Sequence, residues 1–155
     1  MPNELDHKIE PEIQINARDI FGPTASRVNN VTATIATTGN TDGYVIVPID
    51  GFLESADFSG FDALATNDTN YITFTITNLG RAGSGTTAML VATDVNTTKV
   101  TGGSAIDANK VRELTLSTAL NNVQVVAGDR LRIRAAATGT LANTVTFPTY
   151  MLRFK

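Results

Sequence analysis

Between residues 70 and 79 the chain reads NYITFTITNL, and the alternation is strict: Ile72, Phe74 and Ile76 fall on one side, Tyr71, Thr73, Thr75 and Thr77 on the other. A helix would scatter those residues around its circumference. A strand, with its two-residue period, sorts them into an apolar face and a hydroxyl-bearing face. Such a segment needs neighbours, because its backbone N–H and C=O groups point sideways and must be hydrogen-bonded.

Shorter segments of the same kind recur along the chain. Residues 28–37 set Val31, Ala33 and Ile35 against Thr32, Thr34 and Ala36. Residues 44–49 (YVIVPI), 87–93 (TAMLVAT), 111–117 (VRELTLS), 123–126, 130–137 (RLRIRAAA) and 144–155 also read as strands, the last broken at Pro148. Between them, residues 37–43 (TTGNTDG) form a turn cluster. Residues 51–67 read as an irregular loop whose Phe52, Phe58 and Phe61 cap the core, and the polar link 94–110 has room for a short strand or one helical turn. About eight strands at regular spacing, with no internal repeat, predict an all-β fold: an antiparallel two-sheet β-sandwich, in particular a jelly roll.

Composition agrees. Thr occurs 24 times, which favours strands, while 13 Asn and 12 Gly supply the turns between them. At 155 residues the chain makes about one domain and buries a core without staples. It has no Cys, which excludes disulfides, thiolate nucleophiles and thiolate-bound metals. The single His, His7, lies in the N-terminal segment, so the strands carry no imidazole for a Ser-His-Asp arrangement. A net charge of −3 argues against nucleic acid as a partner. No apolar run is long enough to span a membrane, and residues 1–20 lack the apolar stretch of a secretory signal, so assembly in a cytoplasm is expected. Nothing in the sequence calls for a cofactor.

Residues 1–27 differ from the remainder, with Pro2, Pro11 and Pro23 holding the backbone extended and Ile9, Ile13, Ile15, Ile20 and Phe21 spaced singly among polar residues. Residues 1–27 therefore read as a partly ordered terminus or as an extended arm able to dock on a neighbouring subunit, and 28–155 as the sandwich. Other candidate chemistry is sparse. The glycine-rich stretch 79–87 (LGRAGSGTT) lacks the Lys of a phosphate-binding loop and lies between two strands, which makes it a hairpin turn. Glu54 and Asp57 come nearest to a paired-carboxylate site. Asn40 with Asp42, and Asn67 with Asp68 and Asn70, have the ligand types of a calcium loop without its register, and read as turn formers. The three Tyr (Tyr44, Tyr71, Tyr150) all fall inside strand patterns, a weak signal for a sugar-stacking platform.

One constellation stands out. Arg130, Arg132 and Arg134 alternate with Leu131, Ile133 and Ala135, so three guanidinium groups share one strand face about 7 Å apart. Residues 111–155 carry six bases against two acids, while residues 31–110 carry three against eight. Guanidinium groups pair bidentately with carboxylates and are enriched at protein interfaces, so this face reads either as a solvated face paired with neighbouring acids or as a subunit or partner contact.

Residues 70–94 (NYITFTITNLGRAGSGTTAMLVATD) and 111–140 (VRELTLSTALNNVQVVAGDRLRIRAAATGT) resemble small virion proteins of tailed bacteriophages. In these, a strand ending in TNLG precedes a Gly-rich turn and an Ala/Thr strand, and a later LTLS run leads through AGD-L into a closing strand. Where that pattern ends in GTG, this chain has Gly139–Thr140–Leu141. The resemblance is to capsid decoration (cement) proteins and to head- or tail-fibre tips. It implies a non-enzymatic jelly-roll homotrimer on the outside of a capsid, assembled in the host cytoplasm, with the major capsid protein and further copies of itself as partners. The arm residues Ile9, Ile13, Ile15 and Phe21 and the face of Arg130, Arg132 and Arg134 would then make the contacts. A carbohydrate-binding fibre tip that recognises a host glycan is the alternative, and a glycosidase-like or lyase-like enzyme, which needs two acids in one cleft, is the third.

Overall fold

A computed structural model describes residues 25–29 as strand backbone and residues 34–155 in full. The arm residues Ile9, Ile13, Ile15 and Phe21 lie outside the described residues. The strands are β1 (Ala25–Asn29), β2 (Gly39–Ile46), β3 (Gly51–Ser59), β4 (Tyr71–Asn78), β5 (Thr87–Ala88), β6 (Val111–Leu114), β7 (Gln124–Val125), β8 (Arg130–Thr138) and β9 (Thr149–Phe154). A 3-10 turn at Asp94–Asn96 and the single helical turn α1 (Leu120–Val123) complete the elements. β1 begins at Ala25, so the sandwich takes in residues 25–27, which the sequence pattern assigns to the arm.

All pairings are antiparallel, and they build the expected two-sheet sandwich. One sheet runs β1-β9-β3-β6 with β7 also on β3, and the other runs β2-β8-β4-β5. The pairing is nested: β1 with β9, β2 with β8, β3 with β6 and β7, β4 with β5.

The core lies between the sheets and follows the alternation. Ile72, Phe74 and Ile76 of β4 and Leu131, Ile133 and Ala135 of β8 are buried against Ala56 and Phe58 of β3 and Tyr150 and Leu152 of β9. Phe58 ties the layers together, with its ring 4.6 Å from that of Phe74 and 5.2 Å from that of Tyr150. Each of the Ile, Leu and Phe side chains contributes about 1.5–3 kcal/mol of apolar transfer. Burial, and to a lesser extent the charge of Asp42, push the Tyr150 hydroxyl far above its ordinary pKa.

Several strands are shorter than the sequence reading, β5 holding only Thr87–Ala88 of the expected 87–93 and β6 only Val111–Leu114 of the expected 111–117. Two further ones differ in kind. Residues 51–59 form β3, a central strand and not a capping loop: Phe58 is core, Phe52 is half-buried and Phe61 is exposed. The register shifts between Leu53 and Ser55, so Leu53 and Ala56 both face inward at a spacing of three. That bulge breaks the period-two pattern by which a strand is recognised. β2 likewise starts at Gly39, so Asn40, Asp42 and Gly43 sit in a ladder with β8 and not in a turn.

The long link 94–110 is held by polar side chains. Asn96, only 2% exposed, donates from Nδ2 to the carbonyls of Val91 and Thr115 and accepts the Thr115 N–H on Oδ1. Thr98 accepts the Ile72 N–H on Oγ1. Arg112, on the inner side of β6, donates to the carbonyls of Ser104, Val95 and Thr97 and lies 5.4 Å from the centre of the Phe74 ring. Burial lowers its pKa.

Candidate functional site

β8 sits inside its sheet with β2 on one side and β4 on the other. Its apolar residues point into the core, so Arg130, Arg132 and Arg134 share the outer face, as the alternation predicts. Register sets Arg134 between Asp42 and Thr75, Arg132 between Tyr44 and Thr77, and Arg130 opposite Ile46.

The three arginines have different partners. Arg134 meets Asp42 bidentately, Nε–H to Oδ1 at 2.6 Å and Nη2–H to Oδ2 at 2.7 Å. That hydrogen bonding holds the Asp42 carboxyl below its ordinary value against the opposing effect of burial, and the charges of Arg134 and Arg132 act in the same direction. Arg130 places its guanidinium 4.1 Å from the centre of the Tyr44 ring. Arg132 Nε is buried with no hydrogen-bond partner among the described residues, a costly state for a charged donor. Among the described residues no acid forms an ion pair with Arg130 or Arg132. Beside them β2 is an edge strand, with Ile46 70% exposed and Tyr44 half exposed. The outcome is a face with cationic groups, an aromatic ring and an aliphatic side chain together. Arg134 is held by Asp42, while Arg130 and Arg132 stand on the same outer face without an ion pair among the described residues.

The opposite outer face carries acids. Asp57 of β3 lies directly across from Glu113 of β6 on one side and from Met151 of β9 on the other. Burial first, and then the neighbouring Glu113, raise the Asp57 carboxyl above its ordinary value, while Arg153 opposes this to a smaller extent. The pair suggested by sequence, Glu54 with Asp57, does not converge: Glu54 meets Lys155 at 3.3 Å. Asp57 and Glu113 lie on a sheet face, and neither lines the cavities around Tyr71, Leu64 or Leu120.

The remaining candidates resolve into structural roles. Asn67 Oδ1 accepts the N–H groups of Thr69 and Asn70, Asp68 accepts the Thr101 N–H, and Asn70 Oδ1 accepts the Thr140 N–H, so this cluster joins loops. Among the described residues no group of three acids or His is placed to hold a metal. The stretch 79–87 is a hairpin turn, with Gly80 and Gly83 at positive φ and the Gly85 N–H donating to the Leu79 carbonyl. Arg81 anchors it by donating to the Ala127 carbonyl. No element of the described residues is a helix able to cross a membrane.

Two features have no counterpart in the sequence reading. A 270 Å³ groove runs over the outer face of β4, with Tyr71, Thr73 and Thr75 on its floor and Asp94 and Lys99 at its side. The Lys99 ammonium pairs with Asp94 at 2.9 Å and lies 4.8 Å from the Tyr71 ring centre, so one face of that ring is taken. At another site Phe61 and Phe147, both exposed, meet edge to face at 6.1 Å. Their loops are clipped by Asp62, which accepts the Thr146 N–H at 2.9 Å and its hydroxyl at 2.5 Å. Phe147 has φ of 48°, a conformation that bulky residues seldom adopt.

Comparison with protein-family models, with curated proteins and with solved structures finds no match to this chain.

Proposed function

We propose that this chain is a non-enzymatic structural virion protein that binds the outside of a phage capsid as a homotrimer and strengthens the shell. The observation that carries this is the outer face of β8: Arg130, and the buried Nε of Arg132 with no hydrogen-bond partner among the described residues, beside exposed Tyr44 and Ile46. Cationic groups that form no ion pair among the described residues, next to an aromatic and an aliphatic side chain, have the composition of a protein interface, where Arg and Tyr are enriched. The nested strand order supports reading the sandwich as a jelly roll, and the sequence resemblance supplies the virion. A protein that binds only the assembled shell stabilises it by mass action.

The test is co-sedimentation with undecorated tailed-phage heads, together with the solution mass from light scattering. The chain is expected in the pellet and at the mass of three subunits, and Arg130→Glu/Arg132→Glu is expected to diminish both. Wild-type chain that stays in the supernatant overturns the capsid assignment. An unchanged double variant overturns the assignment of this face.

Glycan binding is the second reading, favoured by the exposed Phe61–Phe147 pair on its strained loop. It predicts signal on a glycan array that Phe61→Ala/Phe147→Ala abolishes.

A further inference from the structure

The two outer faces of the sandwich carry opposite charge, although the acidic one also holds Arg153, which partly offsets Asp57, and Lys155, which pairs with Glu54. On one, Arg130 and Arg132 form no ion pair among the described residues, though the charge of Arg132 also acts on Asp42, and Arg132 Nε is buried with no hydrogen-bond partner among them. On the other, Asp57 and Glu113 are directly opposed in the β3·β6 ladder. Like charges in that position have side chains about 5 Å apart and repel. Each patch is framed by exposed apolar side chains: Tyr44 and Ile46 beside the arginines, and Val111 (71% exposed) and Met151 beside the acids.

The patches cannot relieve each other within one chain, because the packed core, about 10 Å thick, separates the sheets. A second copy of the same chain presents the complementary patch in the required form.

We infer that copies of this chain associate head to tail, with Arg130 and Arg132 of one copy seated on Asp57 and Glu113 of the next. This rests on the proposed homotrimer and names its seam. Guanidinium groups match carboxylates in geometry, and a cation between Asp57 and Glu113 removes their repulsion. Ile46 and Tyr44 then cover Val111 and Met151. Two different patches make the contact heterologous, so it closes into a ring when the rotation between copies permits. Arg134 takes no part, since Asp42 already holds it.

A heterologous seam has a signature that a self-complementary one lacks. Arg130→Ala/Arg132→Ala removes one patch and keeps the other, and Asp57→Asn/Glu113→Gln does the reverse. Each variant alone is expected to scatter light as a monomer, with wild-type circular dichroism showing that it is folded. An equimolar mixture is expected to give a two-subunit mass, because one working patch remains on each chain and no ring can close. Either variant retaining the wild-type mass, or a mixture that stays monomeric, overturns the seam. Capsid co-sedimentation of the wild type separates the two proposals: a chain that pellets with heads yet shows no self-association leaves the capsid assignment standing and overturns the seam.

Discussion

Arg134 and Asp42 face each other across the β2·β8 ladder, 92 residues apart in sequence, and share two parallel hydrogen bonds of 2.6 and 2.7 Å. The pair fastens the edge strand β2 to the centre of its sheet. Asp42 has its carboxyl held below the ordinary 3.8, chiefly by the hydrogen bond to Arg134. A lowered folded-state value means that the contribution is fully present at neutral pH and is lost as pH falls below about 4, toward the folded-state value. Asp42→Asn is expected to cost about 1–2 kcal/mol at pH 7. The difference from wild type should shrink on acidification, as read from urea midpoints at both pH values.

Asp57 has the opposite sign. Its carboxyl is raised, so the folded state binds the proton more readily, and a penalty develops as pH rises through the unfolded and then the folded value. In the Arg130→Ala/Arg132→Ala background, where no seam forms, Asp57→Asn is expected to stabilise the fold at pH 7 by about 0.2–1 kcal/mol. The gain should vanish below about pH 4. Calorimetric midpoints at the two pH values check this.

Asn96 is a second point of leverage. Its amide nitrogen serves two carbonyls and its oxygen serves one N–H, all beneath the surface. Asn96→Asp keeps the shape but sets a carboxylate oxygen against the carbonyls of Val91 and Thr115. A loss of about 3 kcal/mol is expected at pH 7, where the new acid is charged. Protonation restores one donor, so the deficit should narrow at pH 5 in the same urea titration.

Gly51 opens β3 with φ of 153°, and a Cβ there would collide with the Lys155 carbonyl oxygen. That carbonyl accepts the Phe52 N–H at 2.8 Å, so it cannot withdraw without opening the ladder. Gly51→Ala is expected to cost about 2–4 kcal/mol, measured by chemical denaturation.

Period-two patterning made β4 and β8 legible, including which face of each is buried and that three arginines share one side. It failed at β3, where the bulge at Leu53 and Ser55 shifts the inward residues. It also failed at β2, whose Gly39, Asn40 and Gly43 have the chemistry of a turn yet pair with Ala137, Ala136 and Ile133 of β8. The link 94–110 depends on Asn96, Thr98 and Arg112 bonding to distant backbone, which has no period to read. Of the candidate site, the arginines were visible. Their sorting into one in an ion pair and two without one among the described residues was not, because it depends on Asp42 arriving from another strand. The juxtaposition of Asp57 and Glu113 likewise exists only once β3 and β6 are in register.

The nesting of β1 with β9 and β2 with β8 bears on how the chain is made. While residues up to β8 leave the ribosome, β1 and β3 both wait with open edges for a strand not yet synthesised. Pairing across such sequence distances is slow, and open edges recruit neighbouring chains. Arrival of β9 closes both edges at once, between β1 and β3. A translation product that stops before Thr149 is therefore left with two adhesive margins, and quality control meets it as an aggregation hazard and not as a smaller folded domain.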